Sequence, residues 1–295
     1  MAYWRDTSPA AAMPTLTSLT LYPIKSCAGI ALSEATLTEA GLVSGGVGNR
    51  EWMVVDGGGD FLTQREHPRM ATIVPRLRRE VLELRAPGMP RLDIPLDPPA
   101  PEGARTIAVR VWKDTVDAYD CDEPTAAWFS SALGTPCRLA RFHPAARRIA
   151  SLDWTGGVEA PVLFADGFPL LVISQASLDD LNERMRAAGR APLPMDRFRP
   201  SLVIDGVEAF DEDYAAAIRI GAALIRPVKP CPRCPIPSVD QASGVVGPDP
   251  LDILRSYRVN QKVGGGIAFG MNAIVAGGAG QRLRVGQEVA LELAF

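Results

Sequence analysis

The sequence predicts a β-dominated α+β protein with a few helices, whose first half is an all-β sheet or barrel. Short apolar segments alternate with turns rich in glycine, proline and aspartate, and helical periodicity is confined to a few stretches. Strands and helices do not alternate regularly, which argues against a parallel βαβ arrangement. Of the 295 residues, 47% are hydrophobic and 22% charged, as expected for one large globular domain or two of ordinary size.

The first half is predicted to consist of short strands. Leucine and threonine alternate over residues 16–22, as in a half-buried strand. A glycine-rich hairpin turn at 57–60 is expected to join a strand at 50–56 to a return strand at 61–65. Further strands are predicted at 31–39, 71–74, 81–84, 92–94 and 107–111.

A helix is predicted over residues 123–133. Asp122 is placed to act as its N-cap, and Gly134 follows its end. A strand follows at 138–142, and residues 143–160 are irregular. The apolar helical residues expected in the core are Ala127, Trp128 and Leu133.

The second half is predicted to open with a strand at 170–173 and a helix that ends near Ala188. Either Ser174 or Ser177 can cap this helix. Its apolar stripe comprises Leu178, Leu181 and Met185. Strands are predicted at 202–204, 217–226, 268–275 and 287–293. Two domains are therefore expected, at 16–142 and 143–295, with residues 1–15 disordered.

Composition narrows the class of protein. The net charge of −3 argues against a general nucleic-acid binder. The odd count of five cysteines does not suggest a disulfide framework, so we expect a reducing, cytoplasmic environment. The N-terminus lacks the apolar region of a signal peptide, and no apolar run is long enough to cross a membrane.

The segment 226–240 is the most unusual part of the sequence. It contains five prolines and two thiols, Cys231 and Cys234, and the prolines predict a stiff backbone outside any sheet ladder. Structural zinc and an iron–sulfur cluster both need more cysteine ligands than are available nearby. A thioredoxin-like pair needs a following helix, which the prolines disfavour. A pair of inert, buried thiols is the remaining conventional interpretation.

A molybdenum centre would need only one protein thiolate, because an organic dithiolene supplies two further sulfurs. Lys229 and Arg233 flank the two cysteines, and neighbouring cations favour the thiolate form. The same cations would attract an anionic cofactor.

Several motifs together resemble one known family. The segment from Lys229 to Cys234, followed by Ser238-Val-Asp240, resembles the signature of the MOSC domain. Residues 21–29 resemble the opening of the N-terminal β-barrel domain that accompanies it. Further elements in family order are Arg50, Thr63-Gln-Arg65, residues 164–169, residues 174–177 with Asn182, and Arg197-Phe-Arg-Pro-Ser201. In outline, the sequence resembles the mitochondrial amidoxime-reducing components and the bacterial YcbX-like proteins.

The resemblance implies an N-terminal β-barrel domain, a MOSC β-barrel domain with a few helices, and a molybdenum cofactor (Mo-molybdopterin). By family position, Cys234 is the metal ligand and a catalytic residue, and Asp240 either relays a proton or caps the loop. The family has asparagine where Ser201 stands, and Pro232 replaces a small polar residue. Cofactor contacts are implied for Lys25, Ser26, Arg50, Asp166, Gly167, Phe168, Arg199, Ser201, Pro232 and Arg233.

The implied activity is reduction of small N-hydroxylated compounds by cleavage of an N–O bond. The chain shows no cysteine set for an iron–sulfur cluster of its own, so electrons are expected from a separate protein: a cytochrome b5-like protein, a ferredoxin or a flavin reductase. Neither nucleic acid nor membrane is expected as a partner. Two alternatives stay open: a molybdenum-cofactor carrier or sulfur-transfer protein with a persulfide on Cys234, and a binding module with inert thiols.

Overall fold

The computed structural model describes residues 13–97 and 105–294 and confirms a strand-dominated α+β fold. Most of the segment predicted to be disordered, residues 1–12, lies outside the described part of the chain. Within the described part, no helix has the length and apolar character needed to span a membrane.

The strands and helices follow in chain order. The strands of the first half are β1 (Thr15–Leu21), β2 (Ile30–Leu32), β3 (Glu34–Thr38), β4 (Gly41–Ser44), β5 (Val47–Gly48), β6 (Trp52–Val55), β7 (Val74–Leu77), β8 (Val81–Arg85), β9 (Leu92–Pro95), β10 (Thr106–Val111), β11 (Asp114–Asp120) and β12 (Arg138–Phe142). The strands of the second half are β13 (Leu170–Ser174), β14 (Leu202–Asp205), β15 (Ala215–Ile220), β16 (Ala223–Pro232), β17 (Val259–Asn260), β18 (Gly266–Gly277), β19 (Arg282–Arg284) and β20 (Ala290–Leu293). The α-helices are α1 (Glu123–Leu133), α2 (Leu152–Thr155), α3 (Gln175–Ala187) and α4 (Leu251–Arg255), and the 3-10 helices are Pro68–Thr72, Met195–Phe198, Asp211–Asp213, Ile236–Ser238 and Gln261–Val263.

One nine-stranded sheet joins the two ends of the chain. Its strand order is β2-β1-β14-β13-β18-β16-β15-β20, and β17 also pairs with β18. The N-terminal strand β1 lies antiparallel to β14 of the second half. The remaining sheets have the orders β10-β11-β12-β6, β19-β3-β4-β5 and β7-β8-β9. The first strand of the protein is therefore part of the same sheet as the strands of the second half.

The hydrophobic core is likewise shared by both halves. The largest buried cluster includes Leu21 and Trp52 from the first half with Val172 and Ile225 from the second, all fully buried. Burial of apolar surface is the main stabilising contribution to folding. This shared core fixes the relative positions of the loops that follow the strands of the two halves.

Helix α1 confirms the predicted start and end. The Asp122 carboxylate accepts a hydrogen bond from the Thr125 amide at 2.8 Å, and Gly134 ends the helix with φ of 71°. One predicted core residue is wrong: Ala127 is exposed, because the buried face of the helix passes through Ala126 and Phe129 instead. Trp128 and Leu133 are buried as expected.

Helix α3 is capped by Ser174, the first of the two predicted candidates. The Ser174 hydroxyl accepts a hydrogen bond from the Ser177 amide at 3.0 Å. Ser177 lies inside the first turn, and its own hydroxyl donates to buried Glu212 at 2.7 Å. The predicted apolar stripe is confirmed, with Leu178, Leu181 and Met185 all buried.

Several predicted strands have different bounds or are absent. The return strand at 61–65 is reduced to one bridge between Val55 and Phe61. In the segment 71–74, Ala71 and Thr72 end a 3-10 helix that Pro68 begins, and Val74 begins β7. The segment 31–39 divides into β2 and β3, and 217–226 divides into β15 and β16. Strand β11 was not predicted.

The prediction that the proline-rich segment lies outside any sheet is wrong. Strand β16 continues to Pro232 and pairs with β18, with Pro227 opposite Ala273 and Pro230 opposite Met271. The pairing shifts register beside each of these prolines. Proline has no amide donor, and β-bulges accommodate the missing hydrogen bonds. Strand β15 covers β16 only as far as Ile225, so beyond this residue β16 has a neighbouring ladder on one side.

Gly270 provides a test of the packing between β18 and β13. It lies in β18 with φ of 77°. A Cβ atom there would lie 2.5 Å from Ile173 Cγ1 and 2.9 Å from the Val172 carbonyl oxygen. Gly88 has φ of 74° with no heavy atom near the equivalent position, so it serves as the control. We expect Gly88→Ala to cost about 1 kcal/mol of unfolding free energy and Gly270→Ala about 2–4 kcal/mol in urea titrations. Equal losses would contradict the proposed close packing.

Candidate functional site

The described residues form a cavity of about 460 Å³ where the two halves meet. The predicted site residues that line it are Lys25, Ser26, Arg50, Asp166, Gly167, Phe168, Arg199, Pro232, Arg233 and Cys234. Ten of the twelve predicted residues are therefore brought together, although they are spread over more than two hundred positions of the sequence. Other lining residues include Phe61, Arg65, Trp112, Lys229 and Asn272.

The large sheet explains how these residues meet. Strands β1, β14, β13, β18 and β16 are consecutive neighbours, and each either leads into the cavity or contributes to its wall. The turn after β1 is fixed to the segment before β6, because the Arg50 amide donates to Tyr22 O at 2.6 Å and the Lys25 amide donates to Trp52 O at 2.8 Å. These backbone hydrogen bonds fix the backbone positions from which the Lys25 and Arg50 side chains extend.

The cavity is strongly cationic in a protein with a net charge of −3. Its cationic lining residues are Lys25, Arg50, Arg65, Arg199, Lys229 and Arg233. Asp166 is the one carboxylate among the lining residues that the structure describes. A partly enclosed cluster of this composition attracts an anionic ligand, since guanidinium and ammonium groups form charge-assisted hydrogen bonds with phosphate.

Arg50 and Arg199 lie close to each other within this charge cluster. Arg199 donates to the Cys27 carbonyl at 2.7 Å and to the Gln241 side chain at 3.2 Å. Burial lowers the pKa of Arg199 to about 10, and the charge of Arg50 acts in the same direction. Within the described chain, the Arg50 guanidinium has neither a hydrogen-bond partner nor an ion-pair partner. It is therefore available to bind an anion.

Lys25 and Asp166 form an ion pair at the wall of the cavity. The Lys25 ammonium lies 2.5 Å from the Asp166 carboxylate and also donates to Phe164 O at 3.0 Å. The Trp112 indole donates to the same carboxylate at 3.0 Å. The Asp166 side chain is largely exposed, and desolvation by the cavity wall would raise its pKa, but Lys25, Arg50 and these hydrogen bonds hold that pKa below its usual range. Burial lowers the pKa of Lys25, and Asp166 opposes that shift.

The Arg148 side chain stabilises the loop that contains Asp166. Its buried guanidinium donates to the carbonyl oxygens of Leu163, Ala165 and Asp166, at 2.8, 2.5 and 3.1 Å respectively. It also forms an ion pair with Asp114 at 2.7 Å. Asp114 begins β11 directly after the turn that contains Trp112, so Arg148 connects the Asp166 loop to the hairpin whose Trp112 donates to Asp166.

Four cavity residues have left-handed backbone conformations that side chains other than glycine rarely adopt. The φ angles are 67° at Ser26, 55° at Arg50, 58° at Trp112 and 57° at Arg199. Such residues cost about 1–3 kcal/mol each and concentrate at functional sites. Only two other described non-glycine residues, Asp122 and Phe210, have positive φ angles. The strain is therefore concentrated at the cavity.

The two cysteines of the proline-rich segment are both free thiols that line the cavity. Arg233 donates to Cys231 Sγ at 3.3 Å and to Phe198 O at 2.9 Å. Across the described residues, the sulfur of Cys234 has no hydrogen-bond partner. The described part of the chain also contains no cluster of three or more His, Cys, Asp or Glu side chains suited to a metal ion. This geometry gives no support to the zinc alternative.

Two predicted site residues do not line the cavity. Ser201 is fully buried, and its hydroxyl has no hydrogen-bond partner among the described residues. Asp240 accepts hydrogen bonds from Arg197 at 2.7 Å and from the Ser243 hydroxyl at 2.7 Å. These contacts cap and hold the loop after the cysteines.

Sequence reasoning missed Trp112, Arg148 and Asn272. Trp112 lies in a hairpin turn, and its strained backbone leaves no mark in the sequence. Asn272 lies within β18, opposite Lys229, in a strand that was predicted only for its apolar character. Arg148 lies in the irregular segment between the halves. A charged residue in an otherwise structureless segment was the available signal, but single arginines are usually solvated.

Comparisons with known proteins agree with the motifs. Residues 13–136 match the MOSC N-terminal beta barrel domain, and residues 159–290 match the MOSC domain. The chain is 35% identical to mitochondrial amidoxime reducing component 2 of Homo sapiens, over 83% of this chain and 72% of the relative. It is 33% identical to the molybdenum cofactor sulfurase of Oryza sativa subsp. japonica, over 93% of this chain and 35% of the relative. A solution structure of a protein from Bordetella bronchiseptica is 35% identical, covers 37% of this chain and 85% of that chain, and has a TM-score of 0.31.

The ion pair at the cavity wall predicts a pH-dependent effect of Asp166→Asn. Lys25 is buried and would lose its partner, so we expect a loss of about 1–2 kcal/mol at neutral pH, reduced by the exposure of the carboxylate. The folded-state pKa of Asp166 lies below the unfolded value of about 3.9, so its stabilising effect is complete above that pH and is lost as pH falls. The gap between wild type and variant should narrow below about pH 4.

Urea unfolding at several pH values measures both effects. Asp153→Asn is the matched control, because Asp153 is exposed and has no ion pair among the described residues. A gap for Asp166→Asn that stays constant with pH would show that the ion pair does not cause the destabilisation.

Proposed function

The chain belongs to the family that joins a MOSC N-terminal β-barrel domain to a MOSC domain, as the mitochondrial amidoxime reducing components do, and we propose that it is a molybdenum-cofactor-dependent oxidoreductase that reduces N-hydroxylated compounds. The observation that supports this most is the cavity itself. The Cys234 thiol and the Arg50 guanidinium line the same space, and neither has a hydrogen-bond or ion-pair partner among the described residues. A soft thiolate beside a cationic pocket suits a metal held by an anionic organic cofactor.

The residues present fit such a cofactor. Its phosphate and dithiolene are anionic, and the cavity offers six cations against one carboxylate. Cys234 would bind molybdenum, because it is half-buried in the cavity wall and its sulfur has no hydrogen-bond partner among the described residues. Lys25, Ser26 and Arg50 would contact the phosphate or pterin. The remaining proposed contacts to the cofactor are Asp166, Gly167, Phe168, Arg199, Pro232 and Arg233.

When bound, the cofactor would supply two-electron redox chemistry at the metal. The protein would orient it and compensate its charge. Phe61, Phe168 and Phe198 line the cavity and would limit access of water to the substrate. Arg50 and Arg199 would hold negative charge without needing to move, because their backbones are fixed by hydrogen bonds. Asp240 is better suited to hold its loop than to relay a proton, since Arg197 and Ser243 already engage it.

The proposed reaction also defines the partners. Reduction of an N-hydroxylated compound consumes two electrons and two protons, breaks the N–O bond and releases water. The five cysteines are all free, and the described residues offer no cluster suited to a metal ion, so we propose that a separate redox protein delivers the electrons. Such encounters use small, transient interfaces.

A second candidate function is transfer of sulfur to a molybdenum cofactor. The match to a molybdenum cofactor sulfurase over 93% of this chain favours it, as does the accessible Cys234 sulfur. In that case Cys234 would bear a persulfide. Mass spectrometry of the purified protein would then find one additional sulfur atom on this residue, and N-hydroxylated compounds would not be reduced.

The two cysteines provide a matched pair for testing the main proposal. Each variant should be produced in a host that assembles the cofactor, followed by molybdenum and pterin quantification and reduction of an amidoxime with an artificial electron donor. We expect Cys234→Ser to lower activity by at least about a hundredfold, whereas Cys231→Ser should stay within about fivefold of wild type, because only the first removes a ligand to the metal. Equal losses would reject the ligand assignment, and a wild type without molybdenum would reject the function.

A further inference from the structure

The Tyr22 ring contacts both Arg50 and Arg199, and the proposed cofactor contacts do not include Tyr22. Its ring is 3% exposed. The guanidinium carbon of Arg199 lies 4.3 Å from the ring centroid, and that of Arg50 lies 5.1 Å from it. Both distances fall within the range of cation–π contacts. One aromatic ring therefore contacts two like charges.

This arrangement addresses an electrostatic problem. The two guanidinium groups repel each other, and no carboxylate forms a salt bridge with either of them in the described chain. The negative face of an aromatic ring attracts cations without neutralising them, unlike a carboxylate. Arg50 and Arg199 can therefore stay close together without a carboxylate that would compete with an anion for their charge.

The backbone and neighbours hold the Tyr22 ring in place. The Tyr22 amide donates to Asn49 Oδ1 at 3.2 Å, and the Asn49 side chain donates to Pro169 O at 3.1 Å. Gly29 leaves the space for the ring, because a Cβ atom there would lie 2.7 Å from Tyr22 Cε1. The ring is thus fixed before any ligand binds.

We propose that Tyr22 is a positioning residue whose ring holds Arg50 and Arg199 together as one anion-binding pair. The ligand of this pair is a phosphate-type anion. Its identification with the phosphate of the cofactor rests on the proposed function, but the binding of a simple phosphate does not. This role belongs to the ring. Burial raises the pKa of Tyr22, so the phenol stays neutral and adds no negative charge beside the two arginines.

The direct test is titration of the purified full-length, cofactor-free protein with inorganic phosphate by calorimetry. Tyr22→Phe keeps the ring, whereas Tyr22→Leu and Tyr22→Met remove it and keep much of the volume. Tyr119→Leu is the control, because Tyr119 is also a buried tyrosine and stacks on His143 outside the cavity. Thermal unfolding of every variant separates loss of binding from loss of folding.

We expect phosphate affinity in Tyr22→Phe to stay within about twofold of wild type and in Tyr22→Leu to fall about tenfold or more, equivalent to about 1.4 kcal/mol. Tyr119→Leu should be destabilised without weaker phosphate binding. Either of two results would overturn the proposal: a folded Tyr22→Leu or Tyr22→Met that binds phosphate as wild type does, or a wild type that does not bind phosphate.

A second measurement separates this proposal from the proposed function. In a host that assembles the cofactor, the molybdenum and pterin content of Tyr22→Leu should fall in parallel with its phosphate affinity. If wild type binds phosphate but never acquires molybdenum, the proposed function fails while the role of Tyr22 stands. If wild type acquires molybdenum and Tyr22→Leu acquires as much, the role of Tyr22 in positioning fails while the function stands.

Discussion

Six cationic side chains line one cavity, and a single carboxylate among the described lining residues opposes them. Like charges at such separations repel each other, and partial burial strengthens the repulsion because it reduces screening by water. The surrounding structure limits this cost in ways that leave the cations free for a ligand. Lys25 has Asp166 as its partner, and Arg199 donates to a carbonyl and an amide oxygen. Arg50 contacts the Tyr22 ring and has no hydrogen-bond or ion-pair partner among the described residues. Neither Arg50 nor Arg199 has a carboxylate partner among the described residues, so an anion that contacts both of them is favoured.

The backbone around the cavity is strained. Ser26, Arg50 and Arg199 all have left-handed φ angles, and each lies where the chain leaves or enters a strand at the junction of the two halves. A strained residue persists only where the surrounding structure determines its conformation. Here the nine-stranded sheet and the shared core provide that constraint, since β1 pairs with β14 and both halves contribute to one buried cluster. The site therefore depends on the joining of the halves and not on either half alone.

Much of the fold and of the candidate site could be predicted from the sequence, but the reasons differ from one element to the next. Helix α1 was predicted with correct bounds because Asp122 and Gly134 act through local backbone chemistry. Lys25, Arg50, Arg199 and Cys234 could be collected because they belong to motifs. The proline-rich strand was missed, since a paired edge with bulges has no local signature that distinguishes it from a loop. Trp112 and Arg148 were missed because their roles arise from tertiary contacts with the Asp166 loop.

Tertiary contacts distinguish the Cys231 thiol from the Cys234 thiol, whereas their spacing in the sequence does not. Cys231 and Cys234 are three positions apart and line the same cavity, so sequence spacing treats them alike. Arg233, which lies between them in sequence, donates to Cys231 and to Phe198 O. That contact engages the Cys231 sulfur, whereas the Cys234 sulfur has no hydrogen-bond partner among the described residues. The same arginine that places positive charge beside the pair therefore gives the two thiols different surroundings, and a neighbouring cation favours the thiolate form that binds a metal.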